Sequence, residues 1–136
     1  MKNLFKLLTL AIIALIFYFS NQPLTTSLKQ SDFIADLLNF DLPFIDIRKL
    51  AHFVIYLSLG FCFCLAFEIK TKKQFFLAML FIFIFACSDE LHQSFSPGRG
   101  PRFSDVLIDT LGSFFGINMA IIARRLYKFL LCSDTL

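Results

Sequence analysis

The chain has 136 residues, enough for one domain, and 57% of them are hydrophobic while only 17% are charged. A small soluble domain cannot keep that much apolar surface out of water, so a water-soluble globule gives way to an integral membrane protein. The net charge of +3 is gathered in short groups beside apolar runs, the pattern of membrane flanks rather than of nucleic-acid binding.

Four spans follow from hydropathy, at about 4–19, 50–67, 75–92 and 105–123, since a bilayer crossing takes about 20 residues. The opening, MKNLFKLLTLAIIALIFYFSNQ, starts like a signal peptide. Phe17, Tyr18 and Phe19 stand where a small-x-small cleavage site would be, so an uncleaved first helix is expected. The connection from Ser20 to Lys49 is long for a bare loop. It holds an amphipathic candidate over 31–40, with Asp32 and Asp36 on one side and Phe33, Leu37 and Phe40 on another. Ser31 is its expected N-cap, and an interfacial helix on the outer leaflet is the expectation. The alternative is a loop packed on the bundle.

The second span opens on IDIRKLAHFVIYLSLG, where Arg48, His52 and Tyr56 are four apart and form one stripe. The third is short by composition and must continue as helix through Ser88, Asp89 and Glu90, which other helices or water must then shield. Asp89 and Gln93 share a face, and Glu90 points roughly 100° away. The fourth carries Asp105 as its expected cap, Asp109 one turn inside, and Gly112 and Gly116 as a small-xxx-small packing patch. Cys62, Cys64, Cys87 and Cys132 read as small apolar residues or tail positions, not as a disulfide framework.

Basic residues set the orientation. Lys2 and Lys6, then Lys70, Lys72 and Lys73, then Arg124, Arg125 and Lys128 fall on one side, which should be cytoplasmic. Both termini are therefore expected inside, in a multi-pass protein of the bacterial cell membrane. Lys29, Arg48, Lys49, Arg99 and Arg102 fall on the other side, where a polar cluster faces outward.

Each polar residue there has an ordinary explanation. Arg48 and Lys49 can anchor to headgroups, Tyr56 can be an interfacial aromatic, and His52 can bond a backbone carbonyl. Together they suggest a site, because a charge in hydrocarbon normally faces a partner or a water-filled cavity. Pro97-Gly98 and Gly100-Pro101 bracket Arg99 in a tight turn that would fold Arg99 and Arg102 back over the helix ends. Guanidinium groups there suit a phosphate or carboxylate, which they can grip bidentately. Glu90, His52, Asp105 and Asp109 are the candidate catalytic groups, as proton donors or acceptors. Arg48, Tyr56, Asp89, Gln93, Arg99 and Arg102 are candidate ligand-binding residues. No metal motif is met and no resident cofactor is expected. The alternative is a hard divalent ion, Mg²⁺ or Ca²⁺, held by Glu90, Asp105 and Asp109.

Three ordered blocks resemble the VanZ-like family of small membrane proteins over nearly the whole chain. YFSNQP, from Tyr18 to Pro23, looks like the family's Ser-x-Gln-Pro element and adds Gln22 to the ligand-binding candidates. RKLAHFVIYLSLG resembles its basic residue, His and Tyr before a glycine. SDELHQSFSPGRGPRFSDVLIDTLGSFFG resembles its block of acidic residue, glutamine, Pro-Gly-Arg turn, aspartate and paired glycines. Asp109 stands where many relatives carry Asn. The resemblance implies an all-α bundle of four transmembrane helices forming one domain. It also implies a link, through the family's name, to glycopeptide (teicoplanin) resistance.

The expected function is binding, or acting on, an anionic envelope lipid or lipid-linked cell-wall precursor at the outer leaflet, with enzymatic activity left open. A non-catalytic accessory protein binding an envelope partner is the alternative, and a structural ion-pair network is the third reading.

Overall fold

The computed structural model describes residues 1–37 and 46–133, with side chains described through Leu130. Five helices follow in order: α1 Lys2–Ser20, α2 Leu24–Leu37, α3 Ile47–Ala66, α4 Lys72–Gln93 and α5 Phe103–Ser133. Four of them, α1, α3, α4 and α5, are long and apolar enough to cross a membrane. They pack as a bundle whose exposed faces carry Leu7, Leu10, Phe76, Phe81, Ile84 and Ile122. In water such faces would be costly, whereas in hydrocarbon they meet their own kind.

Local signals explain where the helices start. Asp46 caps α3, its Oδ1 accepting from the Arg48 amide at 3.0 Å. Thr71 and Gln74 form a capping box at the start of α4. At one end of the bundle Lys2 pairs with Glu68 at 2.8 Å, and Arg124 donates to the Ile69 carbonyl and to Cys64 Sγ. The opposite end holds the last turns of α1 and α4 and the starts of α3 and α5. Consecutive spans therefore run antiparallel, and Lys2 and Arg124 come together as the charge pattern requires.

α4 runs unbroken through Ser88, Asp89 and Glu90, and both carboxylates are buried. The expected shielding is therefore present. The thiols of Cys62, Cys64 and Cys87 are free.

Three boundaries differ from expectation. The short helix starts at Leu24, not at residue 31, and Ser31 lies inside it, donating back to the Ser27 carbonyl at 2.7 Å. Pro23 sets the start instead, because its carbonyl accepts from the Thr26 and Ser27 amides and it has no N–H to leave unpaired. Phe40 and the end of the expected 31–40 segment lie outside the described residues. No residue of α2 is buried, which suits a helix lying at an interface. α5 continues to Ser133 instead of ending near 123. Arg124 and Arg125 do not end the helix, and no Gly or Pro follows Gly116 to break it. Asp105 is not the cap of α5 but lies in its first turn. There it accepts from Ser104 Oγ at 3.0 Å and faces the positive end of the helix dipole.

Candidate functional site at the α1–α4 end of the bundle

The site is positioned by the close approach of α3 and α5. A Cβ at Gly112 would stand 2.5 Å from the Phe53 carbonyl oxygen. One at Gly116 would strike the Leu57 carbonyl, and one at Gly60 would strike Ser113. All three glycines are needed for backbone to lie against backbone. Ser113 adds a hydrogen bond from its Oγ to the Tyr56 carbonyl at 2.9 Å. One turn before Gly112 and one turn before Tyr56, the same contact sets Asp109 beside His52. His52 Nδ1 lies 3.3 Å from Asp109 Oδ1.

α4 supplies the next carboxylate. Asp89 Oδ1 accepts from Ser20 Oγ at 2.5 Å. Its Oδ2 accepts from the Tyr56 hydroxyl at 3.2 Å and from Gln93 Nε2 at 3.4 Å. Gln93 Nε2 also donates to Ser20 Oγ at 3.3 Å. Glu90, one residue on, faces another way, as helical spacing requires. Its Oε1 accepts from the Arg102 backbone amide at 2.5 Å.

The α4–α5 loop closes over this end. Gly98 takes a positive φ of 79°, which glycine adopts at no steric cost. The Arg99 amide reaches the Ser96 carbonyl at 3.1 Å, closing the turn. The Leu24 amide donates to the Pro97 carbonyl at 3.1 Å, and Ser96 Oγ donates to the Ser20 carbonyl at 3.0 Å, so the loop is tied to the α1–α2 corner. The turn sends the Arg99 guanidinium inward, where Nη1 donates to Gln93 Oε1 at 3.0 Å. The Arg102 side chain is exposed, and only its backbone amide holds Glu90.

A cavity of about 520 Å³ opens beside this network. Gln22, Arg48, His52, Glu90, Arg99 and Arg102 line its polar end. An apolar arm continues between α1 and α3, lined by Ile12, Leu15, Ile16, Val54 and Ile55. From Ile12 to Phe19 that arm runs roughly 10 Å along α1, at about 1.5 Å per residue. Leu24, Ser27, Ser31 and Ile34 of α2 cover it from one side.

The expected site residues thus fall into two layers. Gln22, Arg48, His52, Glu90, Gln93, Arg99, Arg102 and Asp105 line the cavity. Tyr56, Asp89 and Asp109 are buried and are not among its lining residues. His52 belongs to both layers, lining the cavity and standing 3.3 Å from Asp109. Among the described residues Arg48 meets no carboxylate of α4 or α5. It pairs with Asp46, two residues earlier, at 3.1 Å, because the cap of α3 places that carboxylate within its reach. Burial alone would raise the Asp46 carboxyl, but the hydrogen bond and charge of Arg48 outweigh it and hold it below its ordinary value.

Five buried polar atoms are left without a hydrogen-bond partner among the described residues: Gln22 Oε1, His52 Nδ1, Glu90 Oε2, Arg99 Nε and Asp109 Oδ1. Four of these side chains line the cavity. Burial depresses the Arg99 guanidinium below its ordinary value, and the positive charge of Arg48 adds to the effect. His52, Asp89 and Asp109 each offer one ligand atom, all within 4.8 Å of one another, a cluster capable of coordinating a divalent cation. That set differs from the expected Glu90, Asp105 and Asp109. The α3–α5 contact brings His52 in, while Glu90 faces another way and accepts from the Arg102 amide.

Ser20 was not among the expected site residues, although it joins Asp89, Gln93 and Ser96. Its only sequence signal is its place at the end of an apolar run inside YFSNQP.

The VanZ/LLP1 family model matches residues 5–124, and the chain belongs to that family. The match spans all four membrane-crossing helices through the point where Arg124 meets Ile69. No curated protein and no solved structure matches the chain.

Proposed function

We propose that this VanZ/LLP1 protein binds an anionic envelope lipid, with the head group at Arg48 and Arg99 and one acyl chain in the groove between α1 and α3. The observation that carries the reading is the continuity of one cavity from two guanidinium groups into an apolar arm. A half-buried Arg99 beside a second cation is unfavourable alone and becomes favourable when a phosphate or carboxylate joins them. Arg99 Nε is the unpaired donor such a head group would satisfy, and Gln22 Oε1 is an unpaired acceptor for a hydroxyl or amine on it. An apolar wall with a few convergent polar groups is the usual form of a small-molecule site.

The head-group end faces the outer leaflet and both termini lie in the cytoplasm. The support is the gathering of Lys2, Lys6, Lys70, Lys72, Lys73 and Arg124 at the opposite end. Glu90 Oε2, unpaired and buried against the cavity, is the group that would take or give a proton if the bound lipid is also transformed.

The test is lipid retention. The full chain is purified in nanodiscs of mixed zwitterionic and anionic lipid, with a polyprenyl-phosphate-linked cell-wall precursor in the panel, and co-purifying lipid is measured by native mass spectrometry. Wild type should enrich anionic species, and Arg99→Lys should lose the enrichment while remaining folded. Retention of the precursor above other anionic lipids would connect the cavity to glycopeptide susceptibility. An identical lipid profile for wild type and Arg99→Lys would sink the reading. Glu90→Gln separates chemistry from binding: unchanged retention with lost turnover makes the protein an enzyme, and unchanged turnover makes Glu90 a structural group.

A further inference from the structure

Behind the cavity, three side chains from three helices converge without a complete set of partners. Asp109 of α5 is 1% exposed, and its Oδ1 has no hydrogen-bond partner among the described residues. It faces His52 Nδ1 of α3 at 3.3 Å, and that nitrogen also lacks a partner. The ring is near the carboxylate but is not aligned to donate to it. With Nδ1 unprotonated, the two lone pairs facing each other at that distance repel unless a cation lies between them. Asp89 of α4 completes the set, with a ligand atom within 4.8 Å of the other two.

We propose that His52, Asp89 and Asp109 form a binding site for one divalent first-row transition-metal ion, of which Zn²⁺ and Mn²⁺ are the leading candidates. Ligands held at about 2.1 Å in a tetrahedral or octahedral array stand roughly 3 to 3.5 Å apart, and the His52–Asp109 separation already matches. Two carboxylates and a dication sum to zero charge. That resolves the burial of two acids where an uncompensated charge is costly. The imidazole among the ligands favours Zn²⁺ over Mg²⁺ or Ca²⁺, which prefer oxygen alone, and the two carboxylates suit Mn²⁺.

The surroundings of Asp89 fit the same role. Ser20, Tyr56 and Gln93 all donate to it, and such outer hydrogen bonds orient a carboxylate ligand. They leave lone-pair capacity on its oxygens for an ion. The three ligands do not fill a coordination sphere, and His52 is the one of them that also lines the cavity. This proposal does not depend on which lipid, if any, the cavity holds.

The experiment uses the full chain in nanodiscs, stripped with chelator and then titrated with Co²⁺ and Mn²⁺, with metal content measured by elemental mass spectrometry. Wild type should take up one ion per chain and give a visible Co²⁺ absorption band that Zn²⁺ abolishes. Asp109→Asn and His52→Gln should each weaken binding by more than about tenfold. Asp32→Asn, an exposed carboxylate of α2 outside both the cavity and the cluster, should leave it unchanged. X-ray absorption of Zn²⁺-loaded wild type keeps the proposal testable if the variants do not fold, and should show one imidazole with oxygen neighbours. The proposal is overturned if stripped wild type takes up no stoichiometric ion. Uptake that survives both substitutions, or a metal spectrum without imidazole, would also overturn it, by indicating surface binding only.

Discussion

The Ser20 hydroxyl donates to Asp89 Oδ1 at 2.5 Å, joining the last residue of α1 to a carboxylate near the end of α4. Both residues are about 1% exposed, so no water replaces the bond if it is lost. Removing one donor from a buried carboxylate costs about 1.5–3 kcal/mol. Ser20→Ala is therefore expected to lower the unfolding midpoint of the protein in detergent. Tyr56 and Gln93 still donate to Asp89, so the fold should survive. A midpoint equal to wild type would show that the Ser20 bond contributes nothing net.

A second prediction concerns helix contact. Gly116→Ala would drive a methyl group into the Leu57 backbone, and backbone cannot rotate away as a side chain can. Overpacking of this kind costs about 1–3 kcal/mol. It should also separate α3 from α5 and disturb the His52–Asp109 pair. Gly100→Ala is the control, since nothing lies within 4 Å of a Cβ there and its effect should stay within about 0.5 kcal/mol. Thermal unfolding of the two variants side by side decides the matter, and equal losses would contradict the packing account.

Much of this arrangement was legible in the sequence. Apolar run length gives four spans because a bilayer leaves few ways to bury a backbone. The spacing of Gly112 and Gly116 predicts a packing face, and the spacing of His52 and Tyr56 predicts a shared stripe, because both depend only on helical period. What was not legible depends on contacts distant in sequence. Nothing local to Ser20 announces a partner 69 positions away. Nor does the pattern around Glu90 reveal that its carboxylate would accept from a backbone amide twelve positions on. Arg48 is a different case. Its partner Asp46 is local, two residues earlier, and comes within reach because it caps α3. Asp105 likewise looked like a cap, but α5 begins two residues before it.

Orientation gives a third prediction. Phe95 is 79% exposed in the α4–α5 loop, at the end of the bundle proposed to face outward. Phe95→Cys should react with a membrane-impermeant maleimide added to intact cells. Tyr127→Cys, exposed near the other end, should react only after lysis. Labelling of Tyr127→Cys in intact cells, with Phe95→Cys protected, would invert the topology and put the cavity on the cytoplasmic side.

The last prediction separates the two roles of Asp46. Its carboxylate caps α3 through the Arg48 amide and pairs with the Arg48 guanidinium at 3.1 Å. In the second role it competes with any anion that enters the cavity, because Arg48 lines that cavity. Asn caps a helix about as well as Asp, so Asp46→Asn keeps the first role and removes the second. Anionic-lipid affinity should rise by about 2- to 5-fold, the scale of a partly exposed ion pair, with little change in stability. Asp46→Ala should raise affinity similarly but lose about 1 kcal/mol of stability with the cap. The pH dependence follows from the folded carboxyl lying below its ordinary value of 3.8. Its stabilising contribution is complete above that value and fades as pH falls through the lower folded one, so neither effect should vary between pH 6 and 8 on account of Asp46. Affinity that falls in Asp46→Asn would show that Asp46 holds Arg48 in its binding pose instead of competing for it.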